Sequence, residues 1–256
     1  MNIKALGIFL TLFVCLLSCE EENYPIENRA IQFDGVNDYI ELGNIYDNLS
    51  LPVTMSAWIW LDPTSDAGSI PILDTQDGLP IYNGVGFLTS NTASLAAQFG
   101  DGLGENNSAF RRAKSATFAP ISGRWVNFAI VIRDASDMSL YYNGIDVGGN
   151  YSGTSNNPMN SNSPTETAKI GLLNQNGSVF RFKGKMDELK IWNKSLNQDE
   201  IQKVIFTKQT STYPGLIGYW DFDEPTGNQV LDKSSNQFHG VLMGTPTRVV
   251  SSAPID

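Results

Sequence analysis

Short apolar runs separated by turn residues dominate this sequence and limit the folds that it can adopt. Two runs are clearest: residues 53–61, bounded by prolines, and residues 125–133, whose continuous apolarity indicates a strand buried on both faces. Further strands are predicted at 30–33, 38–42, 139–142, 145–147, 168–173, 180–182, 186–192 and 218–222. Because helical and strand patterns do not alternate, the order favours an antiparallel two-sheet sandwich over a parallel sheet.

One hairpin and one loop are indicated by their turn residues. Asn143 and Gly144 separate two apolar runs, and this dipeptide favours the tight turn whose twist matches that of paired strands. Residues 148–167 are rich in Asn, Ser, Thr and Gly, so we expect a loop there.

A single helix is predicted near residue 200. Asn197 followed by Glu200 forms the pattern of a capping box, in which each residue bonds the other's backbone N–H. Ile201, Val204 and Ile205 then fall on one helical face. We expect this helix to end near residues 207–212, before Pro214.

Charge and residue counts exclude several functional classes. The net charge of −10 argues against nucleic acid as a partner, because phosphate binding needs clustered Lys and Arg. The chain has a single histidine, His239, so His-rich metal sites and His-based triads are not expected. We expect His239 to lie in a surface loop. Cys15 and Cys19 both lie at the N-terminus, which leaves no disulfide framework for the body of the chain.

The N-terminus has the features of an export signal. After Lys4, residues 5–18 are apolar but too few to span a bilayer stably. Leu16-Leu17-Ser18-Cys19 resembles a bacterial lipobox, which implies a signal peptide at 1–18 and lipidation at Cys19. The acidic run at 20–22, within a tether at 19–28, resembles the surface-export signal of Bacteroidetes lipoproteins. The alternatives are a plain signal peptide and a merely solvated tether; the resemblance implies an outer-membrane, cell-surface lipoprotein.

Six motifs occur in a fixed order along the body of the chain. They are AIQFDGVNDYI at 30–40, SAWI at 56–59, GRW at 123–125, YNG at 142–144, GKMDELKIWN at 184–193 and GYWDFDE at 218–224. Together they resemble the laminin-G-like jelly rolls of the concanavalin A-like lectin/glucanase superfamily. The resemblance covers residues 29–245 and implies one two-sheet domain at 29–256. We expect the tail at 215–256 to complete this domain rather than to begin a second.

The same resemblance implies a structural calcium ion at the edge of the sandwich. Its expected ligands are Asp34, the carbonyl of Gly35 and Asp187, since calcium takes carboxylate and carbonyl oxygens. Two alternatives remain open. Asp34 would instead bond the backbone of its own turn, and Asp187 would pair with a Lys or Arg.

Catalytic carboxylates are harder to find in the sequence. The Glu-x-Asp-x-x-Glu motif of one glycosidase family of this fold is absent, and Asp187 and Glu188 are adjacent, so a strand would point them to opposite faces. Asp221 and Asp223 share a face but belong to a structural motif, and Asp74 and Asp77 would need a further partner. We therefore expect non-catalytic binding of a glycan. The alternatives are a protein-interaction or adhesion module and a divergent glycoside hydrolase.

Aromatic residues provide the candidate glycan contacts. The five tryptophans, at 58, 60, 125, 192 and 220, lie in predicted strands and are expected mainly in the core. The aromatic residues of loops are better candidates, because ligand contacts collect there; these are Tyr82, Phe110 and Tyr151. The only basic cluster, at Arg111, Arg112 and Lys114, is expected to be a solvated strand end.

Overall fold

A computed structural model describes residues 27–65, 68–75, 82–90, 94–104, 108–118, 121–162, 167–175 and 177–255. The predicted signal peptide, Cys19, most of the acidic tether and Asp77 lie outside these described residues. Among the described residues, no helix is both long enough and apolar enough to cross a membrane.

Strands are the main regular secondary structure of the described chain. The first seven are β1 (Arg29–Asp34), β2 (Tyr39–Gly43), β3 (Val53–Leu61), β4 (Ile70–Asp74), β5 (Val85–Ser90), β6 (Ser94–Gly100) and β7 (Arg111–Thr117). The next eight are β8 (Trp125–Ile132), β9 (Met138–Tyr142), β10 (Ile145–Asp146), β11 (Asn150–Ser152), β12 (Ala168–Ile170), β13 (Leu172–Gln175), β14 (Ser178–Arg181) and β15 (Lys183–Trp192). The last four are β16 (Leu216–Trp220), β17 (Gln229–Val230), β18 (Gly240–Met243) and β19 (Thr247–Val250), and one helix, α1 (Gln198–Val204), precedes them.

The strands form two antiparallel sheets packed face to face. The first sheet has eight strands in the order β10-β9-β8-β3-β15-β1-β19, with β16 also paired to β15. The second has nine, in the order β11-β7-β6-β5-β4-β12-β2-β18-β17, and β13 and β14 form a separate ribbon. The predicted all-β antiparallel sandwich with one short helix is therefore confirmed.

Strand β8 shows how alternation builds the core. Phe128 and Ile130 point into the main core between the sheets, whereas Ala129 and Val131 join a second apolar cluster under helix α1. Since successive strand residues face opposite sides, both faces of β8 are covered. The predicted burial is confirmed for residues 126–132, whereas Trp125 and Arg133 at the two ends are only partly buried.

Helix α1 begins as predicted but ends earlier. The Asn197 side chain accepts a hydrogen bond from the Glu200 N–H at 2.9 Å, and Glu200 accepts one from the Asn197 N–H at 2.9 Å. The helix ends at Val204 because buried side chains take its last carbonyls. Lys190 Nζ donates to the Val204 carbonyl at 3.0 Å, and Trp58 Nε1 donates to the Ile205 carbonyl at 2.6 Å.

The turn predictions have mixed outcomes. Asn143 and Gly144 have φ values of 48° and 78°, as the predicted hairpin between β9 and β10 requires. The expected loop at 148–167 contains strand β11, which pairs with β7 through Tyr151 and Lys114. The tail joins both sheets, because β16 and β19 extend the first sheet and β18 extends the second.

Candidate functional site

A groove of about 520 Å³ lies at the end of the sandwich where β3 begins and β8 ends. Its volume is within the range of small-ligand sites. Three distant segments line it together with the buried ring of Phe99: residues 50–51, residues 133–136 and residues 156–159.

The groove combines an apolar interior with a polar rim. The apolar lining residues are Leu51, Phe99, Ala135, Pro158 and Met159. The polar ones are Ser50, Arg133, Asp134, Ser136, Asn156 and Asn157, and all of these except Arg133 are exposed. The rim therefore offers amide and hydroxyl groups around an apolar surface.

The two charged groups of the rim are already engaged by their own turn. Arg133 Nη1 donates to Asp137 at 2.9 Å, and Asp134 Oδ1 accepts hydrogen bonds from the N–H groups of Ser136 and Asp137. The hydrogen bonds from Ser136 and Asp137 hold the pKa of Asp134 below its usual value, so this carboxyl is ionised at neutral pH. Because Arg133 is already paired with Asp137, the described rim offers no unpaired cation to an anionic ligand and favours an uncharged one.

Tyr151 holds one wall of the groove without lining it. Its hydroxyl donates to the Ser136 carbonyl at 2.8 Å and accepts from the Met138 N–H at 2.8 Å. The Arg112 guanidinium lies 4.7 Å from its ring centroid and donates to the Ala135 carbonyl. Tyr151 is therefore a positioning residue for the turn at 133–137.

The basic residues of β7 differ from their prediction as a solvated strand end. Arg112 donates to the carbonyls of Ala135 and Gly153, and Lys114 donates to that of Met138 at 2.7 Å. That prediction is wrong for both, because each side chain connects β7 to a neighbouring loop.

Asp101 holds the opposite wall. It is 3% exposed and accepts hydrogen bonds from Ser155 Oγ at 2.5 Å and Asn157 Nδ2 at 2.9 Å. Burial alone would raise its pKa, but these bonds outweigh burial and the pKa of Asp101 lies below its usual value. An ionised Asp101 therefore fixes the loop that presents Asn156.

The other two predicted ligand aromatics lie beside this wall. Tyr82 is 9% exposed, and Arg111 stacks 5.5 Å from its ring centroid. The Phe110 carbonyl accepts from the Asp101 N–H, and the Tyr82 carbonyl accepts from the Gly102 N–H. The structure brings Tyr82 and Phe110 to one segment. Tyr151 is not with them, because it lies on the other face of β7. None of the three aromatic residues is among the described residues that line the groove.

The predicted calcium ligands do not form one site. Asp34 lies opposite Lys183 in the β1–β15 pair, whereas Asp187 is four residues further along β15, about 13 Å away at strand spacing. A calcium ion binds oxygens about 2.3–2.6 Å away, so it cannot contact both carboxylates. The set of Asp34, Gly35 and Asp187 therefore does not fit a single ion, and calcium binding stays a prediction.

Each of these carboxylates has other partners. Asp34 Oδ1 accepts from the N–H groups of Val36 and Asn37, which is the alternative of a turn cap. Asp187 accepts from Ser251 Oγ at 2.5 Å and from Asn28 Nδ2, and not from the Lys or Arg that the second alternative named. Burial raises the pKa of Asp187 to about 8. Within the described ranges, no three His, Cys, Asp or Glu side chains cluster as a metal site would require.

The acids considered for catalysis are also engaged elsewhere. Glu188 lies 2.7 Å from Lys190 Nζ, and Asp223 pairs with Lys208. Asp74 is fully buried in β4. Asp134 is the only carboxylate among the described residues that line the groove, whereas glycosidases of the usual type flank the bond with two.

Asp221 gives the protein a pH-dependent stability. Burial raises its pKa to about 6, and Lys233, 3.6 Å away, lowers it less than burial raises it. A carboxyl whose pKa is higher in the folded state than in the unfolded state stabilises the fold when it is protonated. This stabilisation is complete below the unfolded pKa of 3.8 and is lost as the pH rises through 6. We expect Asp221→Asn to gain stability relative to the parent by about 1.4 kcal/mol per pH unit within this window. Urea unfolding at pH 4, 5, 6 and 7 measures the difference, and a constant difference would contradict the assignment.

Solved structures with the same fold support this architecture. One match is a protein of Bacteroides ovatus that is described as a candidate carbohydrate-binding protein. It has a TM-score of 0.65 and 16% identity over 90% of this chain, and this chain spans 62% of that protein. A heptameric SAP-like pentraxin of Limulus polyphemus matches with a TM-score of 0.52 and 15% identity, over 90% of this chain and 98% of the pentraxin. The CBM40 of a Ruminococcus gnavus IT-sialidase, bound to α2,3-sialyllactose, matches with a TM-score of 0.52 and 14% identity, over 68% and 95% of the two chains.

At these identities the solved structures show a shared fold alone. No curated protein matches the sequence. A family model described as the concanavalin A-like lectin/glucanases superfamily matches residues 34–202. With two thirds of its length matched and both sheets in place, the chain belongs to the concanavalin A-like lectin/glucanases superfamily.

Proposed function

We propose that the protein is a non-catalytic glycan-binding module and that the end groove is its binding site. The observation that carries this proposal is the groove's lining, an apolar surface at Leu51, Pro158 and Met159 surrounded by exposed amides and hydroxyls. A sugar ring has the matching surface, since its C–H faces are apolar and its edge carries hydroxyls.

The charges of the groove refine the ligand class. Arg133 is paired with Asp137, and Asp134 is bonded within the same turn, so no unpaired cation of the described lining faces the ligand. This favours neutral glycans over sialylated ones. The Bacteroides ovatus and CBM40 structures, whose names refer to carbohydrate, support the general class at low identity.

A blocking variant tests the groove. Asn156 is exposed on the groove wall, so Asn156→Trp should fill the groove without disturbing the core and lower glycan affinity more than tenfold. Asn150→Trp, at an exposed position of β11 outside the lining, is the matched control and should bind like the parent.

The assay is an array of neutral glycans and sialyllactoses, followed by calorimetry and chromatography of the recovered sugar. We expect binding of a neutral glycan that is recovered intact. Failure of the folded chain to bind any glycan, or equal binding by Asn156→Trp, would overturn the proposal. Recovery of shortened sugar would instead identify a hydrolase.

We further propose that Cys19 anchors the protein to the outer membrane by lipid, with the acidic run at 20–22 directing it to the cell surface. Each buried acyl CH₂ adds about 0.8 kcal/mol of membrane affinity. Cys19→Ser should therefore move the protein from the membrane to the soluble fraction, as measured by detergent phase partitioning. Unchanged partitioning of Cys19→Ser, with Cys15→Ser as the control, would contradict lipidation.

A further inference from the structure

A second hollow of about 200 Å³ adjoins the groove. The loop at 45–50 forms one side of it, and Asn193, Ile217 and Phe238 contribute to the rest. Ser50 lines both cavities, while its neighbour Leu51 lines only the groove. The two cavities therefore share one lining residue, an exposed serine.

The chemistry of the small hollow repeats that of the groove. Asn48, Asn193 and Asn236 present exposed amides, and the Phe238 ring is partly exposed. The Phe238 ring packs edge-on against the buried ring of Tyr46, with 6.2 Å between centroids. None of the described lining residues is charged, so this hollow also suits an uncharged, hydroxyl-rich ligand.

The loop between the cavities is fixed in place. Ser161 Oγ lies 3.0 Å from the Asp47 carbonyl and 2.7 Å from the Leu49 carbonyl. Ser161 follows the segment at 156–159 that forms the far wall of the groove. Because one hydroxyl ties both walls together, the two cavities keep a constant relative position, and binding a long ligand across them requires little ordering.

We propose that the groove and the small hollow are two subsites of one site for an extended, neutral oligosaccharide that crosses over Ser50. This inference rests on the proposed glycan-binding function and deepens it. A single sugar unit occupies the groove, and units beyond it occupy the small hollow. Affinity therefore increases with the length of the chain.

The test uses calorimetry with neutral glucan, xylan, mannan and galactan oligosaccharides of one to six units. We expect one series in which affinity rises at least tenfold from the shortest to the longest member. Asn48→Trp, which blocks the small hollow from an exposed position, should remove this gain and leave binding of the single unit unchanged. Asn236→Ala should give a smaller loss in the same direction, with Asn150→Trp as the control.

The outcomes separate the two proposals. Equal affinity at every length, or long chains that bind Asn48→Trp as they bind the parent, would overturn the two-subsite inference while glycan binding stands. Loss of single-unit binding in the folded Asn48→Trp variant would also overturn it, because the cavities would then not be separate subsites. If no oligosaccharide binds the folded parent, the proposed function itself fails.

Discussion

Replacing Lys190 by Met should destabilise the protein by about 3–5 kcal/mol, as expected when one partner of a buried ion pair is removed. Lys190 is 1% exposed, and its ammonium lies 2.7 Å from Glu188 Oε2. Burial lowers the pKa of Lys190, and the Glu188 carboxylate opposes this shift. In Lys190→Met the buried carboxylate keeps, among the described residues, the Tyr219 hydroxyl, which donates to it at 2.9 Å.

The same variant also releases the end of helix α1. Lys190 Nζ donates to the carbonyls of Val204 and Thr207 at 3.0 and 2.9 Å, and both would lose this donor. The measurement is urea unfolding followed by circular dichroism. The double variant Lys190→Met/Glu188→Gln should recover much of the loss, because it removes both charges together. A loss below about 1 kcal/mol in the single variant would contradict the buried pair.

Trp192→Ala should also cost about 3–5 kcal/mol, the usual cost of removing a fully buried large aromatic side chain. Trp192 is 0% exposed and packs with Leu196, Ile201 and Val204 in the cluster between the first sheet and helix α1. Its ring also contacts that of Tyr213 edge-on.

The matched control for this variant is Trp125→Ala. Trp125 is a partly exposed tryptophan of the same sheet, whose Nε1 donates to Ser252 Oγ. Its replacement should cost less than half as much. If Trp192→Ala lost no more than Trp125→Ala in thermal and urea unfolding, the second apolar cluster would not stabilise the fold as described.

Strong local patterns made much of the fold predictable. Strands β3 and β8 are long β-branched and aromatic runs, and their sequence was sufficient to place them. The Asn197 capping box placed the start of helix α1, since its hydrogen bonds are local. The helix end depended on Lys190 and Trp58, which are distant in sequence, so local patterns placed it too late.

The sequence patterns missed several strands, among them β7 and β11, whose stability comes from neighbouring strands. Strand β7 reads RRAKSAT and has no large apolar residue; it forms because β6 and β11 pair with both of its edges. Strand β11 has only Tyr151 as a recognisable strand residue among turn formers. Composition therefore predicted a loop where hydrogen bonding to β7 imposes a strand.

The candidate site was less predictable than the fold. The groove unites residues 50–51, 133–136 and 156–159, and only the order of strands in the two sheets brings these segments together. Pro158 and Met159 within a polar loop were the one local signal. The predicted calcium ligands Asp34 and Asp187 show a different difficulty. Their strands, β1 and β15, are neighbours, but the antiparallel register of these strands separates the two carboxylates.

Methyl NMR of methionine shows directly whether a glycan binds in the end groove. Met159 lines the groove, whereas Met55 and Met186 are fully buried in the core and serve as internal references. With a Met159→Leu variant to assign the signal, the full chain is titrated with the neutral glycan that binds best on the array. We expect a saturable shift of the Met159 methyl signal, with the signals of the two reference methionines unchanged. Glycan binding, confirmed by calorimetry, that leaves the Met159 signal in place would contradict the assignment of the groove as the binding site.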